Sequence, residues 1–502
     1  MVDNLAHSNN RCTSLLCTSI VRWLIQCDVG QVVYVTIDVL PDDVLLAIFD
    51  FYVVKYQDLA LTEVVFNDGD AEMKIESWQS LVHVCRRWRG LVFGSPRRLN
   101  LQLCCTPGRS ATKTLDVWPA LPLLIRGGVS ETSVDNVIAE LEHSDRICQI
   151  NLHCHQTLHV EKLCTAMQVS FPELAVLRLS FGGLSYVPVL LDSFLGGSAS
   201  RLRYLCLIAV PFPGLPKLLL SATHLLNLWL VNIPHSGYFS PEAIVNCLST
   251  LTSLDTLQLG FESPQSCPDP EARRSPLLTR TVLPALKYFR FKGVNEYLEE
   301  LVARIDAPRF DQLSITFFHD IEFDTPELIH FLSRSPSFKA PNEAHVVFGS
   351  HVTWVKFQSQ ASDFEYFEVK IPCREPDWQL SSVAQICTMS LPLLSSTENL
   401  FIYEPEFSQL DWKDSIENIE WLELLLPFTA VKNIYLSKQL APRIGPALQE
   451  ITGGGTTEVL PTLQNIYLEG FRPSESVLEG IAHFTSARQL TNRPVAISMW
   501  ER

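Results

Sequence analysis

The sequence lacks the features that mark several large protein classes. No Asn-x-Ser/Thr sequon occurs in its 502 residues, so nothing reads as an N-glycosylation acceptor. No apolar stretch reaches bilayer length: the patch from Leu15 to Ile25 is short and broken by Arg22, whereas a membrane helix needs about 20 apolar residues. No small-residue cleavage site stands out after that patch. Positive charge is in deficit, with 39 Lys and Arg against 55 Asp and Glu and a net charge of −16. That balance disfavours nucleic acid, whose phosphates attract a basic face. Catalytic signatures are missing as well. There is no G-x-S-x-G and no H-E-x-x-H, and Gly453-Gly454-Gly455 is not followed by Lys-Ser/Thr. The expectation is a protein that is not an enzyme, needs no cofactor or metal, and engages neither membrane nor nucleic acid.

Cysteine is plentiful but unpatterned. Fourteen cysteines are scattered without fixed spacing through a chain far larger than small disulfide-stapled domains. We read a soluble protein of a reducing compartment, cytoplasmic or nuclear. His153-Cys154-His155, with His159 and Cys164 nearby, is the best metal candidate. On a strand, Cys154 would point away from both histidines, and no second ligand pair follows at finger spacing, so we set it aside. With hydrophobic residues at 47%, the chain can bury a large core, and its length allows two or more domains.

Residues 1–36 show no clean period and no capping signal, and are expected to be a poorly ordered extension. A signal begins with Leu40-Pro41-Asp42-Asp43. Pro41 suits the first turn of a helix, and the two carboxylates suit its positive dipole end. Val44, Leu45, Ile48, Phe49 and Tyr52 then recur on one helical face. Residues 57–76 are mixed and net acidic, with a turn signal at Asn67-Asp68-Gly69-Asp70. A second amphipathic helix is expected over Glu76–Phe93, with Leu81, Val84, Cys85, Trp88, Leu91 and Val92 on one face. Arg86, Arg87, Arg89, Arg97 and Arg98 read by default as a solvated face, and equally as contacts to a partner or to the acidic region that follows.

Leu40-Pro41-Asp42, Ile48-Phe49 and Val84-Cys85-Arg86-Arg87-Trp88 resemble, in that order, the two signatures of the F-box family. The resemblance covers about residues 37–103. It implies a small all-helical module that binds a Skp-type adaptor, and through it a cullin, by apolar contacts. The residues it puts forward for the adaptor are Leu40, Pro41, Leu45, Ile48, Cys85 and Trp88. Between the signatures the spacing exceeds that of a minimal F-box. Residues 53–76 therefore form either an inserted loop or an extension of the first helix.

Beyond residue 99 an apolar-x-x-apolar-x-apolar pattern recurs. It begins at Ile147, Leu174, Leu202, Leu225, Leu254, Leu286, Phe310, Phe364, Thr397, Val431 and Leu463, at intervals of 23–34 residues with one interval of 54. The double interval suggests a degenerate unit near Val346-Val347-Phe348. Ser240-Pro241-Glu242 and Thr325-Pro326-Glu327 read as capped helix openings. The pattern resembles the leucine-rich-repeat superfamily in an irregular form, with its Asn ladder largely missing. It implies an α/β solenoid over 99–492, parallel strands on a concave face and helices and loops on a convex one, ending in a tail at 493–502.

In such a strand the residue between the last two apolar positions points away from the core. That slot holds Asn151, Arg178, Cys206, Trp229, Gln258, Arg290, Ser314, Glu368, Phe401, Tyr435 and Tyr467. Arg178, Trp229, Arg290, Phe401, Tyr435 and Tyr467 are the candidate substrate-binding residues, because Arg, Trp and Tyr dominate binding hot spots. Alternatively, the tail around Val495–Trp500 folds back over the aromatics, or a register slip buries them. The expected function is substrate recognition in a Skp–cullin–F-box ubiquitin ligase, with an unknown protein substrate on the repeats. The alternative is a repeat scaffold whose F-box-like segment has drifted and acts outside ubiquitination.

Overall fold

In the computed structural model of the chain, residues 39–62, 78–108, 115, 118–184, 187–264, 280–318, 325–338, 341–359, 362–373, 375–388, 394–405, 412, 418–450, 459–470, 475–490 and 492–501 are described. Residues 1–36, with the expected extension, lie outside them, as do residues 63–77 and the acidic turn. The chain divides into two compact units, Met1–Cys104 with Thr114–Leu123, and Cys105–Lys113 with Leu124–Arg502. No helix among the described residues is long and apolar enough to cross a membrane.

Within the first unit, the described residues from Asp42 to Gly94 are mostly helical. Its first helix, Asp42–Thr62, continues past the expected stripe, so the spacing between the signatures is taken up in part by helix. Leu45, Phe49 and Val53 are fully buried at i, i+4 and i+8. Val44, expected on the same stripe, is 39% exposed. The single second helix is corrected to two, Trp78–Val82 and Arg86–Gly94. The break falls after Val82-His83-Val84, residues of low helix propensity. There Cys85 turns extended, and its Sγ accepts the Trp88 N–H at 3.5 Å as an N-cap. Val84 consequently leaves the buried face and is 51% exposed.

The second unit is mixed α/β and built on one large, mostly parallel sheet, consistent with a leucine-rich-repeat-like solenoid. The short L-x-x-L-x-L segments are its strands: Ile147–Cys154, Val176–Ser180, Tyr204–Ile208, Asn227–Ile233, Thr256–Phe261, Tyr288–Gly293 and Gln312–Phe317, then Asn399–Tyr403, Asn433–Leu436 and Asn465–Glu469. Alternation carries the reason. Leu177 and Leu179, Leu205 and Leu207, Leu228 and Leu230, and so on to Ile466 and Leu468 point to one side and are at most 3% exposed. Helices such as Pro241–Leu248, Asn295–Arg304 and Pro376–Thr388 return between strands and cover that side. Ser240 caps its helix, Oγ accepting the Ala243 N–H at 3.2 Å. At Pro326–Arg334 the cap is not Thr325: the N–H groups of Glu327 and Leu328 both donate to Glu299, at 2.9 Å each.

Two expectations about the sheet need correction. The double interval does not hide another parallel repeat. Glu343–Phe348, Thr353–Ser359 and Ser362–Ile371 form an antiparallel meander laid into the sheet in reverse order. Its last strand pairs parallel with Gln312–Phe317, and its first pairs parallel with Asn399–Tyr403. The expected tail also proves to be a strand, Ala496–Trp500, which pairs parallel with Asn465–Glu469 and forms the edge of the sheet.

Candidate functional site

The two amino-terminal signatures meet in space. Arg87 donates through Nη2 to Asp42 Oδ1 at 2.6 Å and to the Leu40 carbonyl at 2.5 Å, so it is not merely a solvated residue. The Phe49 and Trp88 rings lie 4.7 Å apart. Of the residues put forward for an adaptor, Leu45 and Trp88 are buried, at 0% and 7% exposure. Leu40, Ile48 and Cys85 are half-buried and Pro41 is exposed. The apolar side chains most open to solvent here were not among those six: Val39, Phe51, Val44 and Val84. Position on a helical period could not single them out, because burial depended on how the helices cross.

On the second unit, the slot residues form one ladder across the sheet. Asn151 pairs with Arg178, and the register runs on through Cys206, Trp229, Gln258, Arg290, Ser314 and Glu368. The meander adds Lys356 and His345, after which come Phe401, Tyr435, Tyr467 and Ser498. The six substrate candidates thus share one face but not one patch. Arg290 and Phe401 are five strands apart, about 24 Å at the usual strand spacing.

The aromatic end of this ladder is ordered by stacking. His345 lies on Phe401 with centroids 4.5 Å apart, Phe401 on Tyr435 at 4.2 Å, and Tyr435 on Tyr467 at 4.5 Å, each pair within 10° of parallel. The spacing is that of neighbouring strands, so the pleat itself imposes the stack. All four are half-buried, while Leu400, Ile402, Ile434 and Leu436 beneath them are fully buried. The aromatics are therefore not core. Trp500 crosses the stack, 5.9 Å from Phe401 and 5.5 Å from Tyr435, so the carboxy-terminal strand does cover part of it. Burial, then Tyr467 and Glu343, push the Tyr435 hydroxyl above the usual phenol range.

Beside the stack runs an Asn ladder. Asn433 Nδ2 donates to Asn399 Oδ1 and Asn465 Nδ2 to Asn433 Oδ1, both at 2.7 Å. Trp500 lies in the tail expected, as the alternative, to cover the aromatics, whereas His345 and this ladder went unforeseen, although a signal for the ladder existed: Asn-Leu-Phe-Ile at 399–402 and Asn-Ile-Tyr-Leu at both 433–436 and 465–468.

The middle of the face differs in chemistry. Trp229, Gln258, Tyr288, Arg290, Ser314 and Tyr366 line a recess of about 310 Å³. Trp229 Nε1 is buried there without a hydrogen-bond partner among the described residues. Burial, with Glu368, raises the Tyr366 hydroxyl, and Arg290 opposes that shift. Further along, Cys154 is fully buried, and the His153 and His155 rings meet 5.6 Å apart. Burial pushes the Cys154 and Cys164 thiols up to about 12, which leaves them as protonated, unreactive thiols.

No protein-family model matches the chain, and no curated protein matches it. Among solved structures it is similar to the leucine-rich repeat-containing protein LegL7 from Legionella pneumophila, at 11% identity over 77% of this chain and 97% of that one. The TM-score is 0.25, and the repeat architecture rests instead on the continuous in-register ladder.

Proposed function

We propose that this chain is the substrate-recognition subunit of a Skp–cullin–F-box ubiquitin ligase, its amino-terminal helical unit docking on a Skp-type adaptor and its sheet face holding a substrate protein. The observation that carries the proposal is the convergence of the two signatures. Leu40-Pro41-Asp42 and Arg86-Arg87-Trp88 are joined by the Arg87 bonds and by the Phe49–Trp88 contact. That packing leaves Val39, Val44, Phe51 and Val84 at the surface, with Pro41 and the half-buried Leu40 and Ile48. Exposed apolar side chains of this kind are what a partner helix would cover. Such a subunit does no bond chemistry. It raises the effective concentration of a substrate lysine near a charged ubiquitin-conjugating enzyme, in the cytoplasm or nucleus.

A second reading, a repeat scaffold with a drifted F-box, is favoured by the burial of Leu45 and Trp88 in the unit's own core. Co-purification with a Skp-type adaptor at micromolar concentrations separates the two. A stable complex supports the ligase subunit; its absence leaves the scaffold.

A further inference from the structure

The open face of the sheet concentrates positive charge in an acidic protein. Arg290 and Lys292 on one strand, Lys356 on another and Lys370 on a third all point to this face, beside two carboxylates, Glu368 and Glu343, the latter accepting from Gln358 Nε2 at 3.0 Å and lying 3.6 Å from His345 Nε2. Glu368 is already engaged, accepting from Ser314 Oγ at 3.1 Å and pairing with Lys370 at 2.9 Å. The other three cations have no carboxylate partner among the described residues. They are held by neutral groups instead: Arg290 by a hydrogen bond to the Tyr366 hydroxyl, Lys292 by Asn232 Oδ1 at 3.5 Å and the Phe318 ring at 5.5 Å, and Lys356 by the Tyr366 ring at 4.8 Å. A chain of net charge −16 has many carboxylates with which to neutralise a surface, yet Arg290, Lys292 and Lys356 enter no ion pair among the described residues. Unmatched charge of one sign on an otherwise opposite protein selects and steers a complementary partner.

We propose that this face binds an extended acidic segment of a partner protein, laid across the strands, with carboxylates at Arg290 and Lys356 and apolar side chains on the Phe401–Tyr435–Tyr467 stack. The proposal rests on the reading of the sheet face as the substrate surface and gives that substrate a chemistry. Geometry sets its spacing. Arg290 and Lys356 are three ladder steps apart, about 14 Å at about 4.8 Å per strand. An extended chain rises about 3.4 Å per residue, so four residues cover the distance, and an even number returns the side chain to the same face. Acidic residues at i and i+4 therefore meet both cations. Three further ladder steps lead from Lys356 to Tyr435, so the apolar anchor lies about four residues beyond the second carboxylate.

The test uses the full-length protein and fluorescein-labelled twelve-residue peptides in anisotropy titrations. One peptide carries Glu at positions 2 and 6 and Leu at position 10. The others replace Glu by Gln, or move the second Glu to position 5. The expected result is binding of the first peptide, weakened at least about tenfold by either change and by added salt. Arg290→Glu with Lys356→Glu should abolish binding, and Arg290→Gln with Lys356→Gln should weaken it without introducing repulsion. Equal binding of the Gln peptide, or no loss in the Gln variant with an unchanged circular-dichroism spectrum, overturns the proposal. So does a single-stranded oligonucleotide that competes as well as the peptide, since the site would then be reading phosphate. Adaptor co-purification is scored separately. Its failure alone removes the ligase reading and leaves the peptide site standing, whereas loss of peptide binding with the adaptor complex intact removes only the site.

Discussion

Arg87 reaches back 45 residues to Asp42, with Nε at 3.0 Å and Nη2 at 2.6 Å from the same carboxylate oxygen. It thereby fixes the start of the first helix against the third. The two side chains are 35% and 60% exposed, so the ion pair alone is a weak tie, worth less than about 1 kcal/mol. The bond to the Leu40 carbonyl adds a directional restraint where the chain enters the helix. Arg87→Ala should destabilise the amino-terminal unit by roughly 1–2 kcal/mol in denaturant titrations. A double-mutant cycle with Asp42→Asn should return a coupling below about 1 kcal/mol. A larger coupling would mean that the pair, rather than the carbonyl bond, holds the helix start.

Leu40→Ala with Pro41→Ala should weaken adaptor binding and leave the circular-dichroism spectrum of the whole chain nearly unchanged, because neither side chain is buried. Leu45→Ala should instead lower stability by about 2–5 kcal/mol, the usual cost of emptying a buried leucine site. An unfolded Leu40→Ala/Pro41→Ala protein would refute this division between surface and core.

Replacing Phe401, Tyr435 and Tyr467 together by Ser should abolish substrate capture while sparing the adaptor complex. Each stacked pair contributes about 0.5–1.5 kcal/mol, so a modest fall in melting temperature is expected, but not loss of the fold, whose core lies on the other side of the sheet. Far-ultraviolet circular dichroism decides this, and a collapsed spectrum would return the aromatics to the core.

Glu140 is 1% exposed, and its Oε2 has no hydrogen-bond partner among the described residues. Burial raises its carboxyl to about 8. The unfolded chain loses this proton in the ordinary carboxylate range near pH 4.5, whereas the folded chain keeps it to about 8. Stability therefore falls as pH rises between those values and levels off above them. Glu140→Gln removes the ionisation. Its stability relative to the wild type should climb from pH 5 to pH 8 by up to about 4 kcal/mol, at about 1.36 kcal/mol per pH unit. A pH-independent difference, measured by scanning calorimetry, would show that Glu140 does not titrate as described.

The strand register was legible because alternation is a local property. Each L-x-x-L-x-L fixes which side chains face the core, and from Asn151 to Tyr467 the slots chosen by pattern fall on a single ladder. The same alternation is blind to strand direction. A period of two looks alike in parallel and antiparallel strands, so the meander at residues 343–371 passed for a missing repeat. In the amino-terminal unit the offsets of Leu81, Val84, Cys85 and Trp88 fit one helix, although a break at Cys85 restarts the count.

The sequence by itself determined the inward leucines, the outward slots and the repeated Asn-Ile-Tyr-Leu quartet, since these depend only on backbone periodicity and hydrophobicity. Only the tertiary structure decided what those slots meet. It brought Lys356 and His345 into the ladder between Glu368 and Phe401 through a reversed hairpin, and laid Trp500 across the aromatic stack from the edge strand. It also joined Asp42 to Arg87. Those contacts join residues tens of positions apart, and local propensity carries no information about which distant segments will pair.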